Sequence, residues 1–394
     1  MTLVTRTPRS SLLTPTAINT TLAEVRQLWA KGEQVISLMR GEPDFRTPQH
    51  IVNACTSALE GGRTGYPDNR GEKGLRDAVA RKLATSNGLT YDPATEILIT
   101  TGATLGIQTA LMTAIADGDG VLLPDPVYDA YQSPIRLAGG VIQPVRAPII
   151  QDRFVLTREA LESAVTPASR VLILNTPWNP VGTVFRDAEL RDIAEFVIRH
   201  DLLLLTDEIY EAIVFEGHRH VSAASLSAEI GARTILINSL SKTYAMPGWR
   251  VGYCAGPASL ISAMLLVLQQ SSRGPATFVQ DAAAAALSES QDCVDEMRQE
   301  YSRRRAQVLD TLSGLPHARV LAPEGGFFAM VDVRATGMTS DEVRKHLLYH
   351  HRVAVVHGSA YGAGGEGTLR VSFASGGHTL SDGLERLAQG LSRL

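Results

Sequence analysis

Apolar positions follow two rhythms along this chain. Short runs of aliphatic and β-branched residues at 97–101, 121–123, 141–145, 171–175, 202–206, 234–238 and 251–255 read as buried strands. Between them, apolar residues recur at helical spacing over 105–115, 128–137, 158–165 and 188–200. Continuous apolar runs alternating with amphipathic helices predict a mostly parallel sheet covered by helices on both faces. Before this alternation the chain has an arm over residues 1–49. It carries a helical pattern at 21–31, an apolar run at 35–39 and the turn-rich Gly41-Glu42-Pro43-Asp44-Phe45. Helices at 51–59 and 73–86 follow the arm. The pattern is helical from 256 to about 314, then mixed: strands at 320–321, 327–333 and 369–373, helices at 340–350 and 380–394. The expected class is therefore α/β, a large domain over 50–288 with a smaller α+β domain over 289–394.

Composition narrows the function. The 394 residues are 44% hydrophobic and 20% charged, with a formal net charge of -4. Such a balance fits a globular enzyme and leaves no electrostatic footprint for nucleic acid or an anionic membrane. Cys55, Cys254 and Cys293 are too widely spaced for a disulfide framework or a CxxC metal pair, so a reducing cytoplasm is expected. Met1 to Ser11 lacks the apolar core of a secretory signal. No apolar stretch is long enough to span a bilayer.

The chemistry concentrates in one stretch, Ser239-Leu240-Ser241-Lys242-Thr243-Tyr244-Ala245-Met246-Pro247-Gly248-Trp249-Arg250-Val251-Gly252. It places a lysine in a loop between two core strands, where a charge is normally avoided. A lysine with a partly desolvated amine can form a Schiff base with an aldehyde. Ser239, Ser241 and Arg250 are the residue types that hold a phosphate dianion. An aldehyde and a phosphate on one molecule describe pyridoxal phosphate. Further polar residues follow the strand ends, where open α/β sheets bind ligands. Thr100-Thr101-Gly102-Ala103-Thr104 opens a helix whose backbone N–H groups suit an anion. Pro126-Val127-Tyr128, Asn175-Thr176-Pro177-Trp178-Asn179-Pro180-Val181-Gly182 and Asp207-Glu208-Ile209-Tyr210 follow three other strands. Arg370 lies inside an apolar strand and needs a partner there.

The 239–252 stretch resembles the cofactor-attachment signature of the class I/II aminotransferases, the aspartate aminotransferase-like enzymes of fold type I. The resemblance extends from about residue 38 to about residue 374. It implies that Lys242 carries pyridoxal phosphate and shuttles the substrate's α-proton. Ala103, Thr104, Ser239, Ser241 and Arg250 would hold the phosphate. Tyr128 would stack on the pyridine ring, Asp207 would face its nitrogen, and Asn179 and Tyr210 would bond its phenolic oxygen. Arg370 and Gly41 would take the substrate α-carboxylate. Tyr66 would reach the cofactor phosphate of a neighbouring subunit, implying a homodimer with shared sites, and the arm would join the smaller domain. The substrates implied are an L-amino acid and a 2-oxo acid, exchanged by ping-pong kinetics.

Two departures bear on the pocket. Trp178 stands where a small polar residue or asparagine is usual, and Val181 where threonine is usual, so Trp178 is expected to add an apolar face beside the cofactor loop. Some aspartate-using members place a lysine where this chain has Thr104, and others bring an arginine near Gln269 and Gln270. A neutral substrate side chain, apolar or aromatic, is therefore expected, with Arg273 the nearest candidate for a missing cation. A β-eliminating lyase on the same fold is the alternative; a non-enzymatic regulator is not favoured, because regulators of this fold carry an added DNA-binding domain, for which the arm before residue 49 is too short and not basic enough. Gly362-Ala363-Gly364-Gly365-Glu366-Gly367 satisfies GxGxxG but leads into a strand, so it does not signal a dinucleotide. The pairs His218/His220 and His350/His351 have no acidic partners at ligand spacing in sequence, and they read as solvated loop histidines with no metal.

Overall fold

The structure is a computed structural model that describes residues 10–13 and 15–394. The reading of Met1 to Ser11 falls almost wholly outside these. Helix α1 (Ala17–Ala30) begins where the Thr16 hydroxyl accepts the Asn19 N–H, and short strand β1 (Ile36–Ser37) follows it. Helices α2 (Gln49–Glu60) and α3 (Lys73–Asn87) come next, the latter stopping at Gly88 in a left-handed conformation. The alternating region then runs β2 (Ile97–Thr100), α4 (Ala103–Ala114), β3 (Gly120–Asp125), α5 (Gln132–Leu137) and β4 (Val141–Arg146). A hairpin of β5 (Ile149–Ile150) and β6 (Arg153–Phe154) interrupts it before α6 (Arg158–Ala164), β7 (Ser169–Asn175), α7 (Asp187–Arg199) and β8 (Leu203–Asp207). One-turn α8 (Ala228–Gly231), β9 (Thr234–Ser239), one-turn α9 (Leu240–Thr243) and β10 (Gly252–Ala255) complete this part.

Seven of these strands form one sheet in the order β2-β10-β9-β8-β7-β3-β4. All pairings are parallel except those of β10, which runs against both β2 and β9. Both faces are apolar because both are covered. Val171 and Ile173 of β7 pack under α4 and α5, while Leu172 and Leu174 of the same strand pack against α6 and α7. That is why these strands read as continuous apolar runs rather than alternations.

The remaining chain supplies helices α10 (Ala258–Ser271), α11 (Thr277–Ser288) and α12 (Asp292–Thr311), then β11 (Arg319–Leu321), β12 (Phe328–Asp332), α13 (Ser340–His351), β13 (Val353–Ala354), β14 (Val356–His357), β15 (Thr368–Ser372) and α14 (Gly377–Leu391). A four-stranded antiparallel sheet, ordered β11-β12-β15-β14, packs on α12 and α14 through Tyr301, Val308, Leu384 and Leu387. The arm is tied to this part. β1 pairs in parallel with β13, and Glu24 of α1 meets the buried Arg344 of α13 at 2.9 Å. The Ser372 N–H donates to the Leu38 carbonyl at 2.9 Å, so the segment leading to Gly41 lies along β15.

Two readings need correction. Lys242 is not in a loop: it sits on the helical turn α9, because the Ser239 hydroxyl accepts the Ser241 N–H and starts a turn. His220 is not solvated. Its side chain is buried, with Nε2 3.1 Å from the fully buried Glu208, and Glu208 and Glu211 both come within ligand distance of it in space. Sequence spacing misses these acids because they lie on the other side of the β8 loop. Lys82 is already bonded to Glu211 there and supplies a cation to the cluster. His350 and His351 end helix α13 rather than occupying a loop. Gly362 and Gly364 pack on Asp125, whose carboxylate accepts the Gly364 N–H at 2.9 Å. Among the described residues no helix is long and apolar enough to cross a membrane.

Candidate active site

One cavity of about 260 Å³ opens at the C-terminal ends of the parallel strands and extends to β12, β15 and the arm. Gly41, Ala103, Thr104, Tyr128, Asn179, Asp207, Tyr210, Ser239, Ser241, Lys242, Arg250 and Arg370 all line it. Twelve positions scattered over 330 residues of sequence thus meet in one place, most of them delivered by a strand end, a helix start or the arm, and Arg370 by the middle of β15.

The anion end is built from backbone geometry. Gly102 caps α4 with φ of 77°, and a Cβ there would run into the Arg250 guanidinium. Gly252 must likewise be bare, since a Cβ would come within 2.9 Å of the Ala103 nitrogen and 2.8 Å of the Asn238 carbonyl. These two glycines let the N-terminus of α4 settle beside β10 and Arg250. Arg250 itself is left-handed, with φ of 53°, and has no carboxylate partner among the described residues. A guanidinium without an acid, two buried serines and a helix N-terminus are a fitting cradle for a phosphate.

The reactive end holds Lys242. Burial pushes its amine down to about 8, with Arg250 and Arg370 acting in the same sense against Glu42 and Asp207. Its Nζ donates to the Gly41 carbonyl at 2.5 Å and lies 5.8 Å from the centre of the Phe327 ring. Asp207, the last residue of β8, is fully buried, and burial pushes its carboxyl up to about 6. The Asn179 loop is pinned from two sides. Its N–H donates to Asn175 Oδ1 at 2.8 Å, and Asn175 Nδ2 donates to the Asp207 carbonyl at 2.9 Å. The Tyr128 N–H donates to the Asn179 carbonyl at 3.1 Å.

Arg370 is a buried cation without an acid among the described residues. Nη2 donates to the Met39 carbonyl at 3.0 Å, the Asn179 side chain is 3.4 Å from Nη1, and Nε has no partner. The Phe328 and Tyr361 rings lie 4.0 and 4.9 Å from its guanidinium carbon. An unpaired buried guanidinium is costly, so an incoming carboxylate would find a donor already desolvated and aimed. Arg250 and Arg370, each without an acid partner among the described residues, and Lys242 with its lowered pKa fit pyridoxal phosphate and an amino acid.

Three sequence expectations land elsewhere. Tyr66 does not line the cavity: it is 84% exposed, with the Arg273 guanidinium 4.7 Å from its ring centre. Arg273 is consequently also outside the cavity of its own chain. Trp178 does not border the cavity either. It is buried in the core and stacked on Phe185 at 5.7 Å, because the large ring fills the space beneath the loop rather than the pocket above it. Ile18, Met39, Ile107, Ile209, Pro247 and Phe328 complete the lining. They read as ordinary core positions in sequence and carry no chemical signal. Asn175 was visible only as a strand end.

Comparisons with known proteins show the family. Residues 33–389 match the family described as aminotransferase class I and II. The chain is 41% identical over 373 residues to aromatic-amino-acid aminotransferase 2 of Thermococcus litoralis, covering 93% of this chain and 94% of that protein. It is 39% identical over 373 residues to an aspartate aminotransferase of Pyrococcus abyssi, with the same coverage of each chain. The crystal structure of the aspartate aminotransferase from Rhizobium meliloti superimposes with a TM-score of 0.95 at 34% identity, covering 99% of this chain and all of that one.

Proposed function

The chain belongs to the class I and II aminotransferases, pyridoxal phosphate-dependent enzymes that pass an amino group from an amino acid to a 2-oxo acid, and within that activity we propose a preference for neutral side chains, apolar or aromatic, over aspartate. The observation that carries this is the lining of the cavity. Its cations are Lys242, Arg250 and Arg370, and each has a use in the reaction itself. The aliphatic and phenylalanine part of the wall is Ile18, Met39, Ile107, Ile209, Pro247 and Phe328. Arg40, in the adjoining cavity, is paired with Glu42 at 3.3 Å. A second substrate carboxylate would be buried without a partner, at a cost of several kcal/mol.

Each residue has a role in this proposal. Arg250, the Ser239 and Ser241 hydroxyls and the N–H groups of Ala103 and Thr104 hold the phosphate. Tyr128 covers one face of the ring, and Asn179 and Tyr210 donate to its phenolic oxygen. Asp207 holds a proton at the ring nitrogen. When bound, pyridoxal phosphate supplies an aldehyde that joins amines and a ring that withdraws electrons from the α-carbon. Arg370 grips the substrate α-carboxylate through its fork, and Gly41 closes over it. Lys242, whose lowered pKa leaves much of its amine neutral near pH 8, would take the proton from the substrate α-carbon as a general base and hold it as an acid for the reverse transfer. The same residues then run the half-reaction backwards with a 2-oxo acid. The names of the relatives do not favour the lyase alternative.

We place the enzyme in the cytoplasm as a homodimer, with Tyr66 completing the phosphate site of its neighbour. The exposed ring, with the Arg273 guanidinium 4.7 Å from its centre, supports the dimer. The decisive experiment is a panel of amino donors assayed for kcat/KM with the purified holoenzyme. Phenylalanine, tyrosine or leucine should exceed aspartate. If aspartate exceeds every neutral donor by more than about tenfold, roughly 1.4 kcal/mol, the pocket reading fails and Arg273 becomes the first residue to replace.

A further inference from the structure

The two oxygens of Asp207 have different neighbours. Oδ1 accepts the Ile209 N–H at 3.3 Å, and Oδ2 accepts the Tyr131 hydroxyl at 2.6 Å. Tyr131 lies in the 3-10 turn Asp129–Tyr131, just before α5, and is fully buried. It is the only side chain that donates to Asp207 among the described residues. Its ring meets Tyr128 edge-on at 5.8 Å, so it also backs the residue expected to cover the cofactor. A buried hydroxyl is costly unless it is bonded. A phenylalanine would fill this space more cheaply if packing were the whole role. The separation falls in the range of a charge-assisted O–H···O⁻ bond.

We propose that Tyr131 is a positioning residue for transamination, which keeps Asp207 ionised and fixes the orientation in which its carboxylate faces the cavity. This rests on Asp207 being the partner of the ring nitrogen. The surroundings give the hydrogen bond its importance. Burial is the largest influence on Asp207 and favours the neutral acid; the Tyr131 hydrogen bond is the strongest opposing one, ahead of the Ile209 N–H and Lys242. Glu208, next in the chain, also favours the neutral acid. Tyr128, Tyr210 and Cys254 feel the carboxylate as well, and each is held protonated by burial, as Tyr131 is. No guanidinium or imidazole bonds to Asp207 among the described residues, so the phenol hydroxyl is the main donor that holds it ionised, with the Ile209 N–H second.

The test is Tyr131→Phe, which keeps the ring and removes the donor, made alone and with Asp207→Asn. In apoprotein, thermal unfolding is followed from pH 5 to pH 8. The ionised carboxylate needs the donor and the neutral acid does not. The Tm deficit of Tyr131→Phe should therefore grow as pH rises, and the growth should vanish in the Asp207→Asn background. In holoenzyme, Tyr131→Phe should lower kcat by about tenfold with KM little changed, and the acid limb of kcat should move to higher pH, since losing the donor raises the Asp207 pKa. A Tm deficit that is equal at pH 5 and pH 8 would show packing alone and overturn the coupling. Wild-type turnover in Asp207→Asn would instead overturn the ring-nitrogen reading and the catalytic half of this proposal with it, whatever the unfolding data show.

Discussion

At the scale of single residues, the site is assembled from side chains that do not suit their surroundings. Lys242 and Arg370 are cations in apolar settings, and Asp207 is an acid at the end of a buried strand. Each stands out in sequence because an ordinary core would not tolerate it. Tyr131, Asn175 and Phe328 do not stand out, because a buried tyrosine, asparagine or phenylalanine is ordinary until its partner is known. His220 misled for the same reason, since nothing in the sequence says that Glu208 and Glu211, 12 and nine residues before it, come together with its ring. The lowered pKa of Lys242 has a consequence that can be followed directly. Only the neutral amine attacks an aldehyde. Its folded pKa is about 8 instead of 10.5, so the neutral fraction rises with pH through 8 and then saturates. Covalent capture of pyridoxal phosphate by apoprotein, followed by its visible absorbance, should therefore rise from pH 6, reach half its plateau near pH 8 and level off above about pH 9. Lys242→Ala should show neither that absorbance nor transamination.

At the scale of elements, the long apolar strands and the amphipathic helices were legible because burial on both faces leaves a continuous run and burial on one face leaves a 3.6-residue period. What escaped is short. Strands β13 and β14 have two residues each, and the β5–β6 hairpin turns through Gln151 and Asp152, both left-handed, without the glycine that usually announces such a turn. One-turn α9 was also missed, because a single capped turn has no period to detect. The start of α4 makes a prediction of its own. Gly102→Ala would force a side chain into a positive-φ extended backbone (φ 77°, ψ 167°) that only glycine adopts readily, and against the Arg250 guanidinium. The backbone strain alone costs roughly 1–3 kcal/mol. Displacing Arg250 should weaken pyridoxal phosphate binding by at least about tenfold. Gly88→Ala is the control: it too has a positive φ, in the left-handed helical region, but faces open space. It should lower Tm and leave cofactor affinity unchanged. Equal affinities in the two variants would refute the cradle.

At the scale of the whole molecule, the division into a large parallel sheet and a smaller antiparallel one followed from the change of pattern along the chain, and the arm's attachment to the second came from the resemblance. The proposed dimer was not legible from composition; it rests on Tyr66. If Tyr66 serves the neighbouring subunit, Tyr66→Phe should lose pyridoxal phosphate faster on dialysis. Mixing Tyr66→Phe with Lys242→Ala should also give hybrid dimers that regain activity above the sum of the parents, because one of the two sites is intact in each hybrid. No gain after demonstrated subunit exchange would sink the shared site.

The reversed direction of β10 has one more effect. A strand that runs against its neighbours begins where they end, so the chain leaves β9, presents Lys242, turns, presents Arg250 and re-enters the sheet at the same rim. Seven intervening residues are all that separate the amine from the guanidinium. The distance between the two anchors is thus a covalent ruler clamped at both ends by neighbouring strands. Motions of the smaller sheet and the arm can open and close the far side of the cavity without altering the span over which the cofactor is held.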